Sequence, residues 1–167
     1  MHGPTNHARN QWIDICAPSK DIMAAIPGYN TYREYGLKSG TSYAAPFVSG
    51  SIGLMLSYKL STNSKISPFA IETILKETAD PIADGYLYQG LLGAGRLNVY
   101  KAILRSDCWL SIFNEEINGT RIEHNKCVID VHNTTVNPGA TLDLKATERV
   151  IINEGFKVEA GATFIIR

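Results

Sequence analysis

Residues 39–50 read SGTSYAAPFVSG and are the most informative stretch of the chain. They open a predicted helix from Ser42 to Tyr58, with apolar and small residues on most sides, so we expect it to be buried nearly all round. Pro46 is expected in the first turn, where a missing N–H costs little. Free N–H groups at such a helix start would stabilise an oxyanion beside Ser42. A lone Gly-Thr-Ser, however, is more often only a helix cap.

Short apolar runs and helix caps on either side of this stretch predict an α/β arrangement. Ser67 and Asn98 stand where N-caps are expected, each just before a helical pattern. The strands are expected at residues 12–17 and 22–26, the helices at 68–79 and 99–104, and loops at 29–39 and 84–95.

As a whole, residues 39–50 resemble the nucleophile motif of the subtilisin-like serine proteases, GTSMA(A/S)PHV(A/S)G. The differences are Tyr43 in place of methionine and Phe47 in place of histidine. Flanking segments resemble further motifs of this family in the same order: residues 14–22, 67–80 and 93–98. The resemblance covers roughly residues 10–105. It implies an α/β fold, namely the C-terminal part of a subtilisin-like parallel-sheet domain, here followed by a small all-β stacked-strand module.

This resemblance implies that Ser42 is the acylating nucleophile of a serine endopeptidase, with its own backbone N–H as one oxyanion donor. Ser42 would attack a peptide bond of a polypeptide substrate, and water would then hydrolyse the acyl-enzyme. Gly40 would let the chain approach the substrate closely. The residues that support the motif are Gly40, Thr41, Ala44 and Pro46.

Two other nucleophile patterns fit the sequence less well. The Gly-x-Ser-x-Gly elbow of the α/β-hydrolases fails because Ala44 stands where its second glycine belongs. Cys16 lies in an apolar run, so we expect an inert, buried thiol there.

The catalytic aspartate and histidine of this family lie far upstream of the serine, and neither is identifiable here. No histidine lies in a matching motif, and no asparagine is identifiable as the second oxyanion donor. The residues concerned are His2, His7, His124 and His132, and Asn6, Asn10 and Asn30. His124 and His132 lie in the C-terminal part and are expected on the surface. We therefore expect these 167 residues to be inactive alone and to require the N-terminal half of the catalytic domain as a partner. The alternative is a non-catalytic secreted or surface module, for binding or spacing, that carries a decayed protease half.

The C-terminal part of the chain differs in character from residues 1–105, the expected catalytic portion. Residues 106–127 have no clear period and are expected to be a linker or irregular connection, with some strand character from Cys108 to Phe113. Residues 128–167 predict short strands. The sequence GATL at 139–142 recurs as GATF at 161–164, which indicates stacked strands, although a small sandwich is also compatible. The resemblance implies a sorting, anchoring or spacing unit, and a passive stability cap is the alternative.

Composition excludes several functions. The 16 basic and 16 acidic residues balance, which argues against nucleic-acid binding and against polybasic membrane attachment. No apolar run reaches the ~20 residues that span a bilayer. Cys108 and Cys127 could form a disulfide, but three reduced thiols are equally compatible with the sequence. The resemblance implies a secreted or cell-surface protein that requires no cofactor, with calcium possible by family but at no site that can be mapped.

Overall fold

A computed structural model of the chain describes residues 12–26, 34–82 and 91–167. The chain divides into two compact units. The first contains residues up to 54 together with 75–101, and the second contains residues 55–74 together with 102–167.

An antiparallel hairpin in the first unit leads to the motif. Strand β1 (Ile22–Ile26) pairs with β2 (Glu34–Lys38), so that Ile22 lies opposite Lys38 and Ile26 opposite Glu34. The predicted strand at 22–26 is confirmed. The predicted loop at 29–39 is wrong for residues 34–38, because pairing with β1 supplies backbone hydrogen bonds that the polar sequence EYGLK does not reveal. The rest of that loop and the predicted turn after Ile26 lie outside the described residues.

The segment predicted as a strand at residues 12–17 is extended only in part. Cys16 forms a single parallel bridge with Arg96, in which Cys16 N–H donates to Gly95 O at 2.8 Å and Leu97 N–H donates to Cys16 O at 2.7 Å. The approach is so close that a Cβ on Gly93 would lie 2.4 Å from Asp14 O. Glycine is therefore required at position 93, and this contact accounts for part of the Gly-x-Gly motif.

Three helices follow the prediction with small changes at their ends: α1 (Thr41–Ser61), α2 (Pro68–Glu77) and α3 (Val99–Asp107). The two predicted caps are confirmed. Ser67 Oγ accepts the Ala70 N–H and Asn98 Oδ1 accepts the Lys101 N–H, each at 3.0 Å. None of the helices in the described residues is both long enough and apolar enough to span a membrane.

The expected burial of α1 on nearly all sides is wrong. Ser51, Met55 and Lys59 are buried, whereas Leu54 is 54% exposed and Leu60 is 78% exposed. A Cβ built on Gly50 or Gly53 would meet nothing within 4 Å. The helix thus has the apolar composition of a buried helix, but the described residues cover only the face that carries Ser51, Met55 and Lys59.

The second unit contains five strands: β3 (Trp109–Ile117), β4 (Thr120–Val136), β5 (Thr141–Ile152), β6 (Lys157–Val158) and β7 (Thr163–Ile166). Every pair is parallel, in the order β3-β4-β5-β7, with β6 beside β4. Trp109 pairs with Val128, and Leu142 pairs with Phe164. The chain therefore returns to the same position about every 20 residues, and each such return is one coil of the module. The predicted stacked-strand module is confirmed, and a sandwich of antiparallel strands does not fit this pairing.

The module begins earlier than its predicted start at residue 128. The expected linker at 106–127 instead contains the end of α3, all of β3 and the start of β4. Residues 109–112 are buried on both faces of β3, so they lack the alternation by which a strand is recognised. Inside the coils, Leu110, Ile129 and Leu142 belong to one continuous apolar core.

The two cysteines at the start of the module are joined. Cys108 and Cys127 form a disulfide, and the Cys127 N–H also donates to Cys108 O at 2.8 Å. The bond closes a loop with a sequence separation of 19, which is one coil of the module. A loop of this size contributes about 3 kcal/mol to stability in the chain-entropy model.

A buried carboxylate anchors the start of α2 to the module. Asp130 is fully buried and accepts hydrogen bonds from Ser67 Oγ at 2.9 Å, Ser111 Oγ at 2.6 Å and Trp109 Nε1 at 2.5 Å. The Ser67 N–H donates to Ser111 Oγ at 3.0 Å. Because three donors converge on one carboxylate, the cost of burying its charge is offset.

Lys59 is buried in the same unit, and its Nζ donates to Trp109 O at 2.6 Å. Burial, and next the positive charge of Lys126, lower the pKa of Lys59 to about 8, against the opposing effect of Asp107. Since the pKa is lower in the folded chain than the ordinary value of 10.5, the unfolded chain binds more protons between these values. The contribution of Lys59 to the unfolding free energy therefore rises as the pH increases from about 8 to 10.5.

The Lys59→Met variant tests this pH dependence. We expect the unfolding free energy of the parent chain to rise, relative to that of Lys59→Met, as the pH increases from about 8 to about 10. Urea unfolding at several pH values measures the difference. Lys65→Met, at an exposed lysine, is the control and should track the parent. A parent-minus-Lys59→Met difference that stays constant with pH would contradict the assignment.

Candidate active site

Ser42 is the second residue of α1, and its side chain is exposed. The chain enters the helix through Gly40, whose φ of 143° is one that residues with a Cβ rarely adopt. Gly40 O accepts the Tyr43 N–H at 3.0 Å, which closes the first turn. The backbone N–H of Ser42 lies among the first four of the helix, which have no partner inside an α-helix. Its hydroxyl and backbone N–H thus belong to one helix N-terminus, where an oxyanion beside the hydroxyl would be stabilised.

Pro46 has a different position from the predicted one. It is the sixth residue of α1 and lies beyond the first turn. In a regular helix the N–H of residue 46 would donate to the carbonyl of Ser42, and proline has no N–H. The helical turn that begins at Ser42 is therefore left without its closing bond. Of the other motif residues, Thr41 is exposed and Ala44 is half-buried.

The thiol of Cys16 is only partly buried, whereas the sequence predicted a buried one. Its Sγ donates to Leu92 O at 3.2 Å, and the side chain is partly buried. Burial raises the pKa of this thiol, which lowers the fraction of reactive thiolate at neutral pH. The geometry therefore favours Ser42 over Cys16 as the nucleophile.

No described residue of the first unit is a histidine. His124 and His132 both lie on β4 in the second unit, which agrees with their expected place in the C-terminal part. His124 Nε2 lies 3.4 Å from Asp143 Oδ1, and His132 stacks on Phe113. Both are half-buried, so the expectation that they lie on the surface holds only in part.

The structure does not describe the remaining candidates for the base and the second oxyanion donor. His2, His7, Asn6, Asn10 and Asn30 lie outside the described residues. Within the described ranges, no group of three histidine, cysteine or acidic residues could hold a metal ion. Calcium remains a prediction from the resemblance alone.

The sequence did not identify the residues that fix the loop before Ser42. Gly40 N–H donates to Ser19 O at 2.8 Å, and Asp21 N–H donates to Ser39 Oγ at 3.0 Å. Asp21 has a positive φ of 55°. Aspartate tolerates that conformation, but no pattern in the sequence singles out this position. These contacts could have been predicted from the pairing of β2 with β1, but the sequence did not predict that pairing.

Comparison with known proteins supports the resemblance. The family model described as "Subtilase family" matches residues 2–108, which is more than half of the chain. Tripeptidyl-peptidase 2 of Drosophila melanogaster is 37% identical over 92 residues, covering 55% of this chain and 6% of that protein. The cell wall-associated protease of Bacillus subtilis (strain 168) is 32% identical over 133 residues, covering 66% of this chain and 14% of that protein.

Among solved structures, that of the patellamide maturation protease PatA is similar, with a TM-score of 0.48 and 35% identity, and the match covers 56% of this chain and 33% of that one. Further relatives are named as intracellular and as extracellular proteases. The chain thus spans only a small part of the length of the curated relatives it matches.

Proposed function

This chain belongs to the subtilase family, and we propose that it supplies the nucleophile, Ser42, of a serine endopeptidase. One observation carries the proposal: an exposed serine lies in the first turn of α1, inside the span that matches the family and two residues after Gly40. A serine that served only as a cap would stand before the first helical residue, whereas Ser42 follows it.

The proposed reaction is acyl transfer from a polypeptide substrate. Ser42 Oγ attacks the scissile carbonyl carbon and loses its proton to a base, which passes that proton to the leaving amine as the C–N bond breaks. Backbone N–H groups at the start of α1, that of Ser42 included, stabilise the negative oxygen of the tetrahedral intermediate. Water then releases the acyl group by the same route. This chemistry requires no cofactor, and calcium would at most support the fold.

The proposed base and its aspartate come from an N-terminal half of the catalytic domain. A serine hydroxyl stays protonated at neutral pH unless a base accepts its proton, and the described residues of the first unit include no histidine. The uncovered face of α1 is the proposed contact for that half. Gly50 and Gly53 would allow close approach, and the exposed Leu54 would be buried there.

A secreted or cell-surface location is also proposed. The disulfide between Cys108 and Cys127 supports it, since such bonds persist in oxidising compartments. The name of the cell wall-associated relative agrees with this location. In that setting the all-β module would sort, anchor or space the catalytic part. The competing function is a non-catalytic surface module, which is favoured only by the absence of a base near Ser42 in the described residues.

The test compares two proteins: the 167-residue chain, and the longer chain that joins it to an N-terminal half carrying aspartate and histidine motifs. We expect the short chain to cleave no casein and the longer one to cleave it and to react with a fluorophosphonate probe at Ser42. Turnover by the short chain that depends on Ser42 would overturn the need for a separate base. A folded longer chain that neither reacts nor cleaves would favour the non-catalytic module.

A further inference from the structure

We infer that Ser39 is a positioning residue for Ser42. This inference rests on the proposed function and deepens it, because it concerns what holds the nucleophile in place. Ser39 lies between the end of β2 and Gly40, three residues before Ser42. Its side chain links that loop to the chain segment that enters β1.

Two hydrogen bonds extend the hairpin beyond its last strand pair, Ile22 with Lys38. In one, the backbone N–H of Asp21 donates to Ser39 Oγ at 3.0 Å. In the other, the backbone N–H of Gly40 donates to Ser19 O at 2.8 Å. Together they join residues 19–21 to residues 39–40 by a side-chain and a main-chain contact.

The backbone on both sides of this contact is held in unusual conformations. Asp21 has a φ of 55° and Gly40 has a φ of 143°. A left-handed φ is unfavourable for a residue with a Cβ, so contacts around Asp21 help to hold it, whereas glycine adopts the φ of Gly40 without strain. The Ser39 hydroxyl provides one of these contacts, since it accepts the N–H of Asp21 itself.

The consequence for catalysis follows from the short path to the nucleophile. The chain passes from Ser39 through Gly40 into the first turn of α1, where the hydroxyl and N–H of Ser42 must meet the substrate carbonyl together. Small errors in that alignment lower the rate of acylation much more than the binding of substrate. Ser39 thus acts through Ser42 and does not touch the reacting atoms.

Steady-state kinetics of the complete protease carrying Ser39→Ala and Ser39→Thr test the inference. We expect Ser39→Ala to lower kcat and the rate of fluorophosphonate labelling by three- to tenfold, with KM and the urea midpoint unchanged. Ser39→Thr keeps the acceptor oxygen and should restore both rates. Ser64→Ala, at a serine in the second unit, is the matched control and should behave as the parent.

Three results would overturn the role of Ser39: parental kcat in Ser39→Ala, no rescue by Ser39→Thr, or a loss of rate that matches a loss of folded protein. The proposed function is tested separately by Ser42→Ala in the same assay. If Ser42→Ala retains activity, the proposed nucleophile is wrong. If Ser42→Ala loses activity while Ser39→Ala keeps the parental rates, Ser42 is still the nucleophile and Ser39 has no positioning role.

Discussion

Ser42→Ala, made in the complete protease, is expected to lower kcat by about 10⁶-fold, the loss that removal of the serine causes in subtilisin, the namesake of this family. The physical reason is that alanine leaves no oxygen to form the acyl-enzyme, while the N–H groups at the start of α1 and the substrate contacts remain. A residual rate above that of the uncatalysed reaction is therefore expected. Hydrolysis of a chromogenic peptide under kcat conditions, together with fluorophosphonate labelling, measures the loss.

Cys16→Ala is the matched control. Cys16 is the other candidate nucleophile considered in the sequence, and it lies in the described part of the first unit. Its thiol is partly buried and its pKa is raised by that burial, so the variant should keep the parental kcat and labelling. If Cys16→Ala loses activity and Ser42→Ala retains it, the assignment of the nucleophile is reversed. Equal activity in all three proteins would place the nucleophile elsewhere in the chain.

The helices and their caps could be predicted because their signals are local. Ser67 and Asn98 accept the N–H three residues ahead of each of them, a bond determined by one side chain and one turn. The start of α1 likewise follows from Gly40 and the small residues after it. No long-range contact is needed to recognise any of these features, so a single sequence was enough.

The missed features depend on partners that are distant in the sequence. Strand β2 exists because β1 pairs with it, and the first strand of the module is buried on both faces by residues far along the chain. The exposure of α1 was mispredicted for a related reason. Its composition is typical of a helix that is buried on all sides, whereas the described residues cover only one side of it. The loop contact of Ser39 with Asp21 has the same long-range origin.

The stability of the second unit is expected to depend strongly on Asp130, because that carboxylate is the common acceptor for three donors from two segments. Ser67 precedes α2, while Trp109 and Ser111 lie on β3, and all three are buried. A buried donor that loses its acceptor costs about 1–3 kcal/mol. The serine hydroxyls can rotate towards other acceptors, but the indole N–H of Trp109 is fixed by its ring. The loss on removing Asp130 should therefore exceed that of any single bond.

We accordingly expect Asp130→Ala to lower the unfolding free energy by about 3 kcal/mol, and Asp130→Asn, which keeps one acceptor, by less. Urea unfolding followed by tryptophan fluorescence measures it, since Trp109 is buried and Trp12 is 79% exposed. Asp107→Ala, which loses one exposed bond from the Tyr58 hydroxyl, is the control and should cost under about 1 kcal/mol. If Asp130→Ala unfolds at the same urea concentration as the parent, the carboxylate does not hold α2 to the module, and the apolar core of the coils alone accounts for its stability.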